Sequence, residues 1–176
     1  LEKQIVAERL EQGFMLAKGP DVDGFIGFSL SVQNRRKSRA GWAFGHHVAA
    51  VLDAHELRYK REATTEKRNG PDFLFPGESA YHDKDFDVSL LSMLAAKTSC
   101  KDRWRQVLAE ANRIGEKHLL TLQPGISLAQ TSEMQAERLQ LVVPRPICSS
   151  YLEDQQAWLL DVSDFLALVK DRQAQC

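Results

Sequence analysis

The sequence predicts an α/β protein, a three-layer α/β/α domain around a mixed central sheet of about five strands. The chain has 176 residues, which fits one domain of ordinary size. Its periodic segments follow the order α, β, β, β, α, β, α, β, α, which combines a hairpin with crossover connections. Residues 90–97 form a nearly continuous apolar run, the pattern of a central strand that is buried on both faces.

The first half of the chain predicts two helices and a hairpin. Apolar side chains recur at helical spacing over residues 2–17 and 38–57. Between these helices the period is weak, because two glycines interrupt it, and no regular element is assigned there. Alternation over residues 57–63, an Asn-Gly turn and a short apolar run over residues 72–75 together predict the hairpin.

The second half predicts alternating helices and strands after the central strand. The segments are a helix over 101–114, a strand over 118–122, a helix over 127–138, a strand over 139–143 and a closing helix over 163–172. Residues 144–160 show no clear period. We expect a single domain over 1–176, with an N-terminal helical extension (1–33), a core (34–144) and a C-terminal extension (145–176). Because the chain starts with Leu1, it is compatible with being cut from a longer polypeptide.

Composition excludes several classes of protein. Apolar residues make up 43% and charged residues 27%, which is typical of a globular chain rather than a disordered one. No apolar run approaches the roughly 20 residues of a membrane-spanning helix, and the N-terminus lacks the pattern of a secretory signal. Three widely spaced cysteines offer no disulfide framework. We therefore expect a cytoplasmic protein.

Three polar residues stand where they can meet at one edge of the sheet. Asp72 opens a strand, Lys97 ends the next, and Glu110 lies on the predicted helix that follows, on the same face as Arg103. Two carboxylates and a lysine suit metal-assisted hydrolysis of a phosphodiester, because carboxylate oxygens hold Mg²⁺ while the ammonium orients water.

A structural interpretation of the same residues stays open at this point. Asp72 would cap a turn, Lys97 would be a solvated strand end, and Glu110 would pair with Arg113 or Lys117 on a helix surface. Spacing alone favours the structural interpretation.

Several stretches of this chain resemble the catalytic domain of EcoRII-type restriction endonucleases. They are Asn34-Arg-Arg-Lys-Ser-Arg-Ala-Gly41, Pro71-Asp-Phe-Leu-Phe-Pro76, Ala80-Tyr-His82, Leu94-Ala-Ala-Lys-Thr-Ser-Cys-Lys-Asp-Arg-Trp-Arg-Gln-Val-Leu-Ala-Glu110, Thr121-Leu-Gln-Pro-Gly-Ile-Ser-Leu-Ala-Gln130 and Leu141-Val-Val-Pro144. The resemblance covers about residues 34–144. It implies a restriction-endonuclease-like fold of the PD-(D/E)xK superfamily and the activity of a Mg²⁺-dependent endonuclease.

The resemblance implies roles for individual residues. Asp72 corresponds to the metal-binding aspartate and Lys97 to the catalytic lysine. The carboxylate usually found two residues before that lysine is replaced by Ala95, and Glu110 from the following segment takes its place as a metal ligand. Tyr81 matches a tyrosine near the active site, and a packed aromatic at a turn is an equally good interpretation.

The resemblance also implies contacts with double-stranded DNA. Lys101, Asp102 and Arg103 occupy the place of a triplet that reads CC and GG base pairs, and these residue types match the edges of cytosine and guanine in the major groove. A surface ion pair at a helix start is the alternative. Basic residues that we expect on phosphates are Arg35, Arg36, Lys37 and Arg39. A near-palindromic site of the CCWGG type would be matched by a homodimer.

One position departs from the family pattern. Gly45 stands where relatives carry a glutamate on the long helix. This change would weaken the metal site, be compensated by another residue, or leave a module that binds DNA and cuts it poorly. The neighbours His46 and His47 point to different helix faces and are a poor pair of ligands.

Overall fold

A computed structural model describes residues 1–66, 70–100 and 103–176. The chain divides into two compact units, Leu1–Ala40 and Gly41–Cys176. Helix α2 (Val22–Ala54) contributes residues to both.

The N-terminal unit begins with helix α1 (Glu2–Gln12). Two short antiparallel strands follow, β1 (Met15–Leu16) and β2 (Gly19–Pro20). The predicted helix over 2–17 therefore ends early, at a glycine with a positive φ of 72°.

Helix α2 starts well before the predicted position, because Asp21 caps it. The Oδ1 atom of Asp21 accepts a hydrogen bond of 2.8 Å from the backbone N–H of Gly24. A Cβ on Gly24 would lie 2.0 Å from the Asp21 carboxylate, so a glycine is what lets this cap approach. The prediction that residues 20–36 lack a regular element is wrong, because the two glycines weaken the helix by only about 1 kcal/mol each.

The C-terminal unit is built on a six-stranded mixed sheet in the order β3-β4-β5-β6-β7-β8. The pairs β3-β4 and β4-β5 are antiparallel, and the remaining pairs are parallel. The strands are β3 (Lys60–Arg61), β4 (Phe73–Phe75), β5 (Ser92–Lys97), β6 (Lys117–Thr121), β7 (Leu139–Val143) and β8 (Leu160–Asp161). The five predicted strands are confirmed. The sixth, β8, comes from the stretch that shows no sequence period.

Side chains alternate between the two faces of this sheet. Leu74, Met93 and Leu119 join a core with helix α4 (Trp104–Val107) and helix α5 (Leu128–Ala136). On the opposite face lies a second core, which the later part of α2 and helix α8 (Val162–Gln173) complete with the sheet residues Phe73, Leu94, Leu120 and Val142. Helices thus cover both faces, and the predicted three-layer α/β/α arrangement is confirmed.

The link between β3 and β4 requires a glycine. A Cβ on Gly70 would lie 1.8 Å from the backbone oxygen of Ala63, so only a glycine lets the two segments come this close. Lys60 pairs with Leu74 and Arg61 with Phe73. This register confirms the predicted antiparallel pair and brings Asp72 to the start of β4.

The described residues also form the short helices α3 (Glu78–His82), α6 (Arg145–Cys148) and α7 (Glu153–Gln156), and a 3₁₀ turn at Val88–Leu90. Of the helices in the described ranges, none has both the length and the apolar character needed to span a membrane.

Candidate active site

The ends of two antiparallel strands bring Asp72 and Lys97 together. Asp72 directly precedes β4, and Lys97 is the last residue of β5. The Oδ2 atom of Asp72 accepts hydrogen bonds from Lys97 Nζ at 2.8 Å and from the backbone N–H of Ala96 at 2.7 Å. The Lys97 side chain is only 20% exposed, so the interpretation of this lysine as a solvated strand end is wrong.

Glu110 approaches the same pair with its carboxyl group half-buried. Burial raises the pKa of Glu110 to about 7; the positive charge of Lys97 opposes the rise, and the negative charge of Asp72 adds to it. Its Oε2 atom is buried and has no hydrogen-bond partner among the described residues. A buried carboxylate oxygen without a partner is costly, and a cation would satisfy it. The structure thus brings Asp72, Lys97 and Glu110 into one charged cluster.

The route by which Glu110 reaches the cluster differs from the prediction. Helix α4 ends at Val107, and Ala111 has a positive φ of 47°. The predicted helix over 101–114 is therefore wrong beyond its first turn, and Glu110 does not share a helix face with Arg103. The surface pairing proposed for Glu110 is wrong as well, since Lys117 bonds its backbone oxygen and not its carboxylate.

Tyr81 lies in the core rather than against Asp72 or Lys97. Its side chain is 1% exposed, and its hydroxyl oxygen lies 2.6 and 2.8 Å from the two carboxylate oxygens of Glu66. The same oxygen accepts a hydrogen bond of 3.2 Å from the backbone N–H of Arg113. Burial and the neighbouring Glu66 carboxylate raise the pKa of Tyr81 to about 12, so its hydroxyl keeps its proton at neutral pH.

A cavity of about 200 Å³ opens beside Asp72. Its lining includes Gly45, Arg61, Glu62 and Ala96. A Cβ on Gly45 would come 3.4 Å from the Arg61 guanidinium, so a cation stands next to the position where the family resemblance implies an acid. Glu62 is the second carboxylate on this lining and belongs to the turn after β3.

The predicted DNA-contacting residues have different surroundings. Lys101 and Asp102 lie outside the described residues, while Arg103 is exposed at the start of α4. In the N-terminal unit both Arg36, at 2.5 Å, and Arg39 form ion pairs with Glu2. The two other residues of this basic segment, Arg35 and Lys37, are exposed.

Sequence reasoning missed two charged residues that fix the segment around Glu110. Lys117 is buried at the start of β6, and Glu66 accepts hydrogen bonds from Tyr81 and from the backbone of Asn112. Neither residue belongs to a recognisable motif. A lysine at the start of a strand gives no signal of burial, and an isolated glutamate gives no signal that it will bond a distant backbone N–H group.

A comparison with known protein families identifies the family of this chain. Residues 1–166 match the family described as EcoRII C terminal. The chain belongs to the EcoRII C-terminal family. It is 46% identical over 165 residues to the type II restriction enzyme EcoRII of Escherichia coli, a match that covers 93% of this chain and 41% of that enzyme. The chain thus spans less than half the length of this relative.

Solved structures with DNA confirm the fold of this member of the EcoRII C-terminal family. Metal-depleted Ecl18kI in complex with uncleaved DNA superimposes with a TM-score of 0.71 at 22% identity, over 84% of this chain and 50% of that one. The PspGI restriction endonuclease bound to substrate DNA gives a TM-score of 0.74 at 17% identity, over 99% and 74%. The predicted restriction-endonuclease-like fold and the predicted family are therefore confirmed.

Proposed function

We propose that this chain is the nuclease domain of a type II restriction endonuclease acting in the cytoplasm. It hydrolyses phosphodiester bonds of double-stranded DNA at a short near-palindromic site with CC and GG flanks, of the CCWGG type. The observation that carries the proposal is the cluster in which Lys97 bonds Asp72 at 2.8 Å, while the charges of both affect the pKa of Glu110, whose buried oxygen has no partner in the part of the chain that the structure describes. Family membership and the identity with EcoRII support the same conclusion.

The cluster is suited to hold Mg²⁺. Although no group of three or more metal-ligating side chains occurs within the described ranges, the two carboxylates of Asp72 and Glu110 are the hard oxygen ligands that Mg²⁺ takes. Mg²⁺ commonly uses one or two protein carboxylates and completes its shell with water and phosphate oxygens. When bound, the ion would stabilise the negative charge that develops on the phosphate and the leaving oxygen.

The remaining groups have roles that follow from their contacts. Asp72 fixes the ammonium of Lys97 through its hydrogen bond, and Lys97 in turn orients the water that attacks the phosphorus. Burial keeps Glu110 ready to bind a cation, because ionisation without one is costly. Tyr81 acts at a distance, through Glu66 and the backbone at Arg113.

Specificity and assembly complete the proposal. Arg103, with Lys101 and Asp102, reads the CC and GG base pairs in the major groove, and the basic segment Arg35, Arg36, Lys37 and Arg39 contacts phosphates. A twofold site calls for a homodimer in which each protomer cuts one strand. Residues 34–144 form the catalytic core of this unit, and 1–33 and 145–176 are its extensions.

A plasmid cleavage assay tests the proposal. A supercoiled plasmid with CCWGG sites is incubated with Mg²⁺ and either the parent chain, Lys97→Ala or the exposed-lysine control Lys84→Ala. We expect the parent and Lys84→Ala to linearise the plasmid and Lys97→Ala to lose at least about 100-fold in rate, since it loses the group that orients water. Equal nicking by the parent and Lys97→Ala would refute the assigned lysine.

One observation favours a second candidate, a DNA-binding module that cuts poorly. Gly45 borders Arg61 at the position where the family resemblance implies a glutamate, so the cavity beside Asp72 lacks an acid at that position. In this case the parent would bind a CCWGG duplex but leave the plasmid intact. Cleavage of random DNA without preference would instead indicate a repair or mobile-element nuclease of the same superfamily.

A further inference from the structure

A buried lysine holds the segment that carries Glu110. Lys117 is 7% exposed, and its Nζ atom donates to the backbone oxygens of Glu110 at 2.6 Å, of Ala111 at 3.0 Å and of Ile114 at 3.0 Å. An ammonium group has three N–H donors, so all of them are used on this one segment. Burial lowers the pKa of Lys117, while the charges of Glu110 and Glu66 oppose the change.

The half-buried carboxylate of Glu66 holds the same segment by its N–H groups. Glu66 accepts a hydrogen bond of 3.1 Å from the backbone N–H of Asn112 and one from the Tyr81 hydroxyl. The Tyr81 oxygen then accepts from the backbone N–H of Arg113 at 3.2 Å. Burial alone would raise the pKa of Glu66, but these hydrogen bonds outweigh it and leave the pKa lowered.

The segment needs such partners because it has no helix or strand of its own. Helix α4 ends at Val107, Ala111 has a positive φ of 47°, and β6 starts only at Lys117. Backbone groups that such an irregular segment leaves unpaired are satisfied by other partners, here by side chains. Hydrogen bonds to charged groups are the strongest kind available, which makes the segment stiff.

The conformation of this segment matters because the segment carries Glu110. Burying the Lys117 ammonium carries a desolvation penalty before its hydrogen bonds are counted, and a neutral turn would avoid that penalty. The two charges converge on the residues immediately after Glu110. Their combined effect is to fix the backbone from which the Glu110 carboxylate projects towards Asp72 and Lys97.

We propose that Lys117 and Glu66, with Tyr81 as the link from Glu66 to Arg113, form a clamp that positions the Glu110 carboxylate for a divalent cation. The inference rests on the proposed function, since it assigns Glu110 as a metal ligand. Lys117, Glu66 and Tyr81 are positioning residues, because they act on the cation through Glu110. Substitution of residues that orient a metal ligand commonly weakens metal binding about 10- to 100-fold.

Calorimetric titration with MnCl₂ tests the clamp without requiring turnover. We expect Lys117→Met to bind Mn²⁺ at least about tenfold more weakly than the parent, and Lys117→Arg to recover part of the affinity. The Mg²⁺ concentration for half-maximal plasmid cleavage should rise by a similar factor. Arg172→Met is the matched control, because Arg172 also donates to a backbone oxygen, that of Leu91, but at the opposite end of β5. This control should keep the Mn²⁺ affinity of the parent.

The design separates failure of the clamp from failure of the proposed function. If Glu110→Ala cleaves like the parent, the proposed function is wrong. If Glu110→Ala is inactive while a folded Lys117→Met binds Mn²⁺ like the parent, the clamp alone is overturned. Should Lys117→Met fail to fold, the milder Glu66→Gln and Tyr81→Phe decide: weaker Mn²⁺ binding supports the clamp, and unchanged binding overturns it.

Discussion

Replacing Glu110 by glutamine should change how stability depends on pH in the absence of divalent metal. Burial raises the pKa of this carboxyl from its ordinary value of 4.5 to about 7. The native state therefore binds the Glu110 proton more tightly than the unfolded state does. Between pH 4.5 and 7 the native state holds more protons, so the free energy of unfolding falls as the pH rises through this window.

The expected change in the free energy of unfolding follows from the size of the Glu110 pKa shift. Moving from a pKa of 4.5 to about 7 corresponds to an upper limit of about 3 kcal/mol, at about 1.4 kcal/mol for each pKa unit. Because solvent reaches part of the Glu110 side chain, screening reduces this to about 1–2 kcal/mol. Glutamine resembles the protonated acid, so Glu110→Gln should match the parent near pH 4.5 and exceed its free energy of unfolding by about 1–2 kcal/mol at pH 8.

Urea denaturation of both proteins at pH 4.5, 6, 7 and 8 measures this difference. Other titrating groups, such as His118, are the same in both proteins and cancel. The exposed Glu137 supplies the control, since Glu137→Gln should follow the parent at every pH. A constant offset between Glu110→Gln and the parent, or an advantage that grows towards low pH, would refute the burial of Glu110.

Three further predictions follow from other parts of the structure. Leu52→Ala should lower the free energy of unfolding by about 2–5 kcal/mol, because Leu52 is buried. Val51→Ala should change it by less than about 1 kcal/mol, because Val51 is 41% exposed. Chemical denaturation of both variants measures the difference. Burial lowers the pKa of His118 to about 4, so the unfolded state binds more protons than the native state between pH 4 and 6.5. The free energy of unfolding of the parent should therefore fall by about 2–3 kcal/mol as the pH falls through this window. Denaturation of folded His118→Leu at the same pH values should not show this fall. Arg35→Ala should weaken binding to all duplexes and reduce the slope of log affinity against log salt by about 1 in anisotropy titrations, and an unchanged slope would remove Arg35 from the phosphate contacts.

The sheet could be predicted from sequence because its signals are local. The apolar run before Lys97 and the alternation before the Asn-Gly turn depend only on which face a side chain takes. The pair of Asp72 and Lys97 then follows from topology, since the start of one strand lies beside the end of its antiparallel neighbour. Strand β8 was missed because the sequence around it shows no alternation, unlike the equally short β3, which lies within the alternating residues 57–63.

The path of the chain around Glu110 could not be predicted, because distant residues decide it. Apolar spacing after Arg103 is helical, yet Lys117 and Glu66 take up the backbone groups that a longer helix would use. Such a competition between local propensity and charged partners from elsewhere in the chain leaves no trace in a sequence window. The resemblance implies that Glu110 lies near Asp72 and Lys97, and the charges of both residues affect its pKa. The helix predicted to deliver Glu110 nevertheless ends three residues earlier, at Val107.

The start of helix α2 shows a different limit. Gly24 and Gly27 argue against a helix by propensity, and both lie within it. The cap from Asp21 needs Gly24 for its close approach, so the same residue that lowers the intrinsic helix preference permits the helix to begin. A prediction based on helix propensity alone therefore counts Gly24 against the helix that it helps to begin.

Anomalous diffraction from crystals of the chain soaked in MnCl₂ tests the central claim most directly. The account predicts a manganese peak in contact with the carboxylates of both Asp72 and Glu110, with Lys97 beside it. Manganese bound elsewhere, with neither carboxylate in contact with it while the soaked protein cleaves plasmid DNA in solution with Mn²⁺, would contradict the proposed site.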